Sequence, residues 1–172
     1  MIKKIMFFSV MLLSDAGYAC PGVSVRIPEQ IEAPAGYGPL LTVHAKGDQI
    51  YQCAVSKGEY SWVIQAPDAK LFDGQGQIVG NHSAGPLWEY KEASRVVGKI
   101  VKKLAVNPEI AISWLLVEVV KNNHKGLLAD VKFINRVNTH GGLPPVLGCD
   151  ANHLGGERRV PYTADYIFYG AN

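Results

Sequence analysis

The chain has 172 residues, with 17 Lys plus Arg against 15 Asp plus Glu and 48% hydrophobic residues. That near-balance, without an Arg-rich run, basic stripe or acidic tail, argues against nucleic acid and anionic membrane surfaces as partners. The length suits one domain with a sizeable core. No transmembrane segment is expected, since the longest apolar run after residue 20, Ala111–Val120, is about ten residues and includes Glu118, where a bilayer needs about 20.

At the N-terminus, Lys3 and Lys4 precede the apolar run Ile5–Leu13, and Ser14–Ala19 then places Gly17 and Ala19 at the minus-three and minus-one positions. This is the pattern of a secretory signal over residues 1–19, so the protein is expected to be exported, to a periplasmic or extracellular location. A lipid anchor at Cys20 is the minor alternative, and Tyr18 fits that motif badly. Loss of Lys3, Lys4 and Asp15 would leave a net charge of about +1. Cys20, Cys53 and Cys149 then remain, an odd count that in an oxidising compartment reads as one bridge and one leftover thiol. Cys53 and Cys149 each follow structured-looking sequence and are the favoured pair, with Cys20–Cys53 the alternative.

Residues 20–39 hold Pro and Gly without a sustained period and read as an extended arm; residues 40–172 read as the folded domain. Leu40–Ala45 is followed by a turn at Lys46-Gly47-Asp48, then by the alternating runs Gln49–Val55 and Tyr60–Ala66, an antiparallel meander. Pro67–Lys70 and Asp73–Gly76 bracket Leu71-Phe72 as turns. Ile78-Val79 enters and Leu87–Tyr90 leaves a segment centred on His82. Arg95–Val106 alternates, Ala111–Val120 is a strand buried on both faces or a helix, Asn122–Gly126 is a turn, Leu127–Val137 alternates again, and Pro161–Tyr169 supplies a closing aromatic strand. The sum is about nine or ten short strands and at most one short helix, near Asn107–Ile112: an all-β, single-domain antiparallel β-sandwich or flattened barrel.

Local catalytic signatures are missing. Asp73–Gly80 lacks the spacing and context of a dinucleotide loop, and neither a Gly-x-Ser-x-Gly elbow nor a His-Glu-x-x-His pair occurs. No two of the five His stand at a spacing that lets one strand or helix present a metal-binding pair. No metal and no cofactor is therefore assigned. Two segments do combine backbone punctuation with polar side chains: Gly80–Glu89, and Arg136–Pro145 ending near Cys149. They nominate His82, Trp88, Glu89, Arg136, Asn138 and His140 as lining one cleft, an aromatic platform ringed by hydrogen-bonding groups and suited to a small polar ligand, carbohydrate first, or to a surface partner. A His beside a carboxylate also admits acid/base chemistry by His82 and Glu89, metal-assisted or not, although no nucleophile accompanies them. The bland alternative makes these residues corner-holders in a structural or interaction module, with Glu89 paired to a base such as Arg136. Nothing in the sequence speaks to oligomeric state.

Several blocks resemble the DUF3455 family: Gln49–Cys53, Trp62 with Ala66–Ala69, His82–Glu89, Ser113–Leu116, Arg136–Pro144, Gly148-Cys149 and Val160–Tyr166. The resemblance runs in order over roughly residues 28–170 and implies export, one domain and a Cys53–Cys149 bridge, but no reaction. The chain departs from the family pattern after Glu89, where Lys91-Glu92-Ala93-Ser94 replaces an Asp-Gly-Ser-like turn, and His140 falls at a variable place in its block.

Overall fold

A computed structural model describes residues 25–172; the segment expected to be a signal, residues 1–19, and Cys20 lie outside the described residues. Eight strands run in chain order: β1 (Tyr37–Ser56), β2 (Glu59–Phe72), β3 (Ile78–Ser83), β4 (Leu87–Tyr90), β5 (Ser94–Leu104), β6 (Trp114–Asn122), β7 (Val131–Gly141) and β8 (Glu157–Ala171). Each pairs antiparallel with the next, and β8 returns to β1 over a long register from Tyr37↔Ala171 to Gln52↔Glu157, so the single sheet closes into a ring. Closure pairs every strand on both sides over part of its length, which limits the open edge that makes unpaired strands prone to association.

The strand count falls below the nine or ten expected because two of the anticipated turns are strand interior. Lys46-Gly47-Asp48 pairs with Lys70-Ala69-Asp68 on one side and with Thr163-Tyr162-Pro161 on the other. Pro67–Lys70 belongs to β2, and β3 pairs with β2 only from Ala69 onward, so Pro67 sits where β2 has a neighbour on one side alone and its missing N–H costs no ladder bond. Gly47 is required by close approach: a Cβ there would fall on the Asp68 carbonyl and the Ala69 Cα. Curvature comes from register shifts, at Ile50/Tyr51 among others, instead of from turns.

Inside the ring, alternation sends Val43, Leu71, Val96, Val117, Ile134 and Phe168 into one core. Outside it, the chain ahead of β1 turns through a short 3-10 segment, Glu29–Ile31, and buries Ile31 completely against Leu116 and Val137. The buried Asn135 amide donates to the carbonyls of Ile31 (2.8 Å) and Leu115 (3.0 Å), fixing that outer layer. Leu115 and Val117 thus face the ring interior while Leu116 faces the covered exterior, which is why Ala111–Val120 reads as an apolar run. The second 3-10 turn is Gly126–Leu128, and Asn107–Ile112 forms a hydrogen-bonded turn that does not continue as a helix. Among the described residues no helix is long and apolar enough to cross a membrane.

Between β4 and β5, Glu92 (φ 61°) and Ala93 (φ 54°) occupy consecutive left-handed positions. An L side chain there costs about 1 kcal/mol. Ala93→Gly is accordingly expected to raise the unfolding free energy by about 0.5–1 kcal/mol in urea titration, against the usual loss for a glycine substitution; a drop in stability would contradict the strained-turn account.

Candidate functional site

The His82 and Trp88 side chains meet because β3 and β4 form a tight hairpin whose register pairs them directly. Both point into the ring, and the imidazole stacks on the indole at 4.2 Å with 13° between planes. Tyr166, from β8 across the interior, stands edge-on to both, 5.0 Å from His82 and 5.5 Å from Trp88. Gly98 on β5 makes room for the indole, since a Cβ there would lie 3.0 Å from it. His82 Nδ1–H donates to the Leu87 carbonyl at 2.9 Å, which assigns the tautomer and leaves Nε2 as an acceptor.

Arg136 enters the same interior from β7. Its Nε and Nη2 both donate to the Ser113 carbonyl, at 3.1 and 2.8 Å. Ion pairs among the described residues lie elsewhere, on the outer surface: Glu89–Arg95 at 3.7 Å, Arg159 with Asp48 and Asp68, His44–Asp165 and His153–Asp150. The Arg136 guanidinium therefore has no carboxylate partner among the described residues.

These groups line a cavity of about 490 Å³ at one end of the ring, the other end being filled by core. Gln49 and Tyr51 of β1 complete its polar wall, and Ile64, Ile100, Leu143 and Pro144 form its apolar mouth. Leu143 and Pro144 belong to the loop after β7, which is held over this end by three attachments: the Cys53–Cys149 disulfide, Trp62 Nε1–H donating to the Leu147 carbonyl (3.0 Å), and Tyr51 O–H donating to the Gly142 carbonyl (2.6 Å). Two lining residues carry buried side-chain donors: Trp88 Nε1–H has no acceptor, and Gln49 Nε2–H has only a weak contact with the Tyr162 phenol.

The six nominated residues do not share one cleft. His82, Trp88 and Arg136 line the cavity. Glu89 is paired with Arg95 on the opposite face of the sheet, so the wall of the ring separates it from His82, and its cation is Arg95, not Arg136. Asn138 and His140 lie on the outer face: Asn138 Nδ2–H donates to Asp165 Oδ2 (2.7 Å), Asp165 Oδ1 contacts His44 Nδ1 (2.5 Å), and His140 Nδ1 lies 3.1 Å from the Asn138 carbonyl. Strict alternation from Arg136 would have kept all three on one face. A register shift between Val137 and His140, with Asn138 at φ 49°, turns the last two outward. Tyr166, Gln49 and Tyr51 join the cavity without having been nominated. The available signal was Gln49 itself, a polar residue in phase with Tyr51 and Cys53. Among the described residues no three His, Cys, Asp or Glu side chains come together as a metal cluster.

Burial dominates the titration of this interior. It holds the His82 imidazole neutral, lowering its pKa from 6.5 to about 3; the Leu87 hydrogen bond opposes the shift and the Arg136 cation adds to it. Burial also raises the Tyr166 and Tyr51 phenols, with Arg136 opposing both rises.

The architecture defines a class: a closed eight-stranded antiparallel β domain with a disulfide-held loop over a cavity at one end. The chain belongs to the family described as protein of unknown function (DUF3455), which it matches over residues 34–170. Comparison with curated proteins and with solved structures finds no match.

The unfolded chain protonates His82 below about pH 6.5, whereas the fold resists until about pH 3. The stability contributed by neutral His82 is complete above pH 6.5 and drains away as pH falls toward 3. Between pH 7 and pH 4 the unfolding free energy is expected to fall by on the order of 3 kcal/mol through this group. Paired urea titrations of wild type and His82→Gln, which cannot titrate, isolate it: the variant should show a flatter acid limb, and equal slopes would place the titration elsewhere.

Proposed function

We propose that the protein is an exported binding domain that holds a small polar ligand in the cavity at the mouth of the ring. The observation carrying this reading is the buried Trp88 Nε1–H, a donor without an acceptor on a residue that lines the cavity. A buried donor left unpaired costs about 1–3 kcal/mol, and a ligand that brings acceptors recovers it. Export is supported by the signal-like residues 1–19 and by a disulfide, a bond that persists in oxidising compartments.

Recognition by aromatic stacking, the basis for favouring carbohydrate, has less support. The Trp88 indole is 2% exposed, with His82 across one face and Tyr166 against it edge-on, so it has no open platform to offer. Hydrogen bonding carries the recognition instead. Acid/base catalysis by His82 with Glu89 loses its geometry, since the two side chains leave opposite faces of the sheet. A surface partner is a second reading favoured by one observation, the exposure of Val146 (95%) and Leu147 (81%) on the disulfide-held loop.

A thermal-shift screen of neutral sugars, sugar acids and small organic acids tests the cavity reading. At saturating concentration a ligand of the right class is expected to raise the melting temperature by about 5 °C or more. Trp88→Phe keeps an aromatic ring against His82 but deletes the N–H, and should weaken that ligand by roughly 5–10-fold. No shift with any compound, or an undiminished shift in Trp88→Phe, would remove the basis for the proposal.

A further inference from the structure

We infer that the cavity takes an amphipathic organic anion, with the charged head on Arg136 and the apolar body between the mouth residues Ile64, Ile100, Leu143 and Pro144. This rests on the cavity being a ligand site and specifies the chemistry of what enters it.

The charge balance is one-sided. Arg136 and Lys103 line the cavity, and no Asp or Glu does. Arg136 gives Nε and Nη2 to the Ser113 carbonyl and also hydrogen-bonds the Tyr166 phenol, and the N–H donors left over keep the planar fork that matches an oxyanion. The nearby buried polar side-chain atoms, Trp88 Nε1 without an acceptor and Gln49 Nε2, are again donors. A cation and two donors, in a wall partly withdrawn from water, specify acceptor atoms and a negative charge. His82 supplies no second cation at neutral pH, so Arg136 is the charge the deep wall presents.

The mouth is of opposite character. Ile64 and Ile100 are about half exposed, at 48% and 50%, although they stand on strands whose other inward residues are mostly buried. Together with Leu143 and Pro144 they give one side of the entrance an apolar collar, beside the exposed Lys103 and Gln65, while His82, Gln49 and Arg136 are less exposed. A ligand polar throughout would leave that collar wet; a bare inorganic anion would leave it empty. One polar end and one apolar end, in that order from the inside outward, satisfies both walls.

A carboxylate and a phosphate monoester present the same head chemistry, and the probes separate them: octanoate, octyl phosphate and octanamide, titrated calorimetrically into the protein at pH 7. At least a tenfold preference for octanoate or octyl phosphate over octanamide is expected in the wild type, with the tighter of the two naming the head. Arg136→Gln should reduce that preference to about twofold or less, and Arg136→Lys, which keeps the charge but not the fork, should retain an intermediate preference; each variant is checked for an unchanged circular dichroism spectrum. If Arg136→Gln does not fold, the wild-type preference and Arg136→Lys decide. Octanamide binding as tightly as octanoate, or a full preference surviving in Arg136→Gln, overturns the anion inference while leaving the cavity as a binding site. Binding by none of the three overturns the amphipathic anion outright, while the cavity reading is then decided by the wider screen of sugars and acids.

Discussion

The packing of His82, Trp88 and Tyr166 across the inside of the ring is the contact on which the rest depends. A ring of eight strands has an interior about wide enough for side chains to fill. Below these three rings it is filled, largely by branched aliphatic residues, with Phe168 from β8. The rings themselves fit because the walls around them are pared down: Gly98 lies against the indole, and Gly47 and its interior neighbours Ala45, Ala69 and Ala164 keep the β1–β2–β8 side thin. On the far side of the rings the interior is open, so the same three side chains are the roof of the core and the floor of the cavity.

That position explains the electrostatics. A stacked, buried imidazole next to a guanidinium is stable only if it stays neutral, and burial with the neighbouring Arg136 cation keeps it so. The cation in turn remains without a carboxylate partner among the described residues, although the outer surface of other strands carries several ion pairs. Surface pairs of this kind contribute little to stability. A half-buried cation without a carboxylate partner is a costlier arrangement.

Much of the fold could be read directly from residues. Alternation in Gln49–Val55, Arg95–Val106 and Leu127–Val137 marked strands, and the apolar run around Leu115 marked one covered on both faces. The closed ring was one of two readings left open, because closure depends on the long β1–β8 register and no local pattern encodes a pairing of segments so far apart. Gly47 and Pro67 misled for a related reason: as punctuation they signal turns, but here one serves close strand approach and the other lies on a locally unpaired side. The cavity-lining residues were harder. His82, Trp88 and Arg136 were identifiable by type, whereas Glu89, Asn138 and His140 were placed with them by proximity in the chain. The β3–β4 register and the bulge at Asn138 decided which face each one took, and a bulge leaves no mark in the period of the residues around it.

The most direct test of the cavity as the binding site is the indole N–H resonance of Trp88, followed by two-dimensional nitrogen–proton NMR while octanoate is added and assigned by its loss in Trp88→Phe. Trp88 Nε1–H is buried without an acceptor at the cavity floor, while Trp114 packs outside the ring beneath the N-terminal segment. The predicted result is a saturable shift of the Trp88 resonance with Trp114 unmoved. A Trp88 resonance that stays fixed while octanoate binds elsewhere on the protein would contradict it.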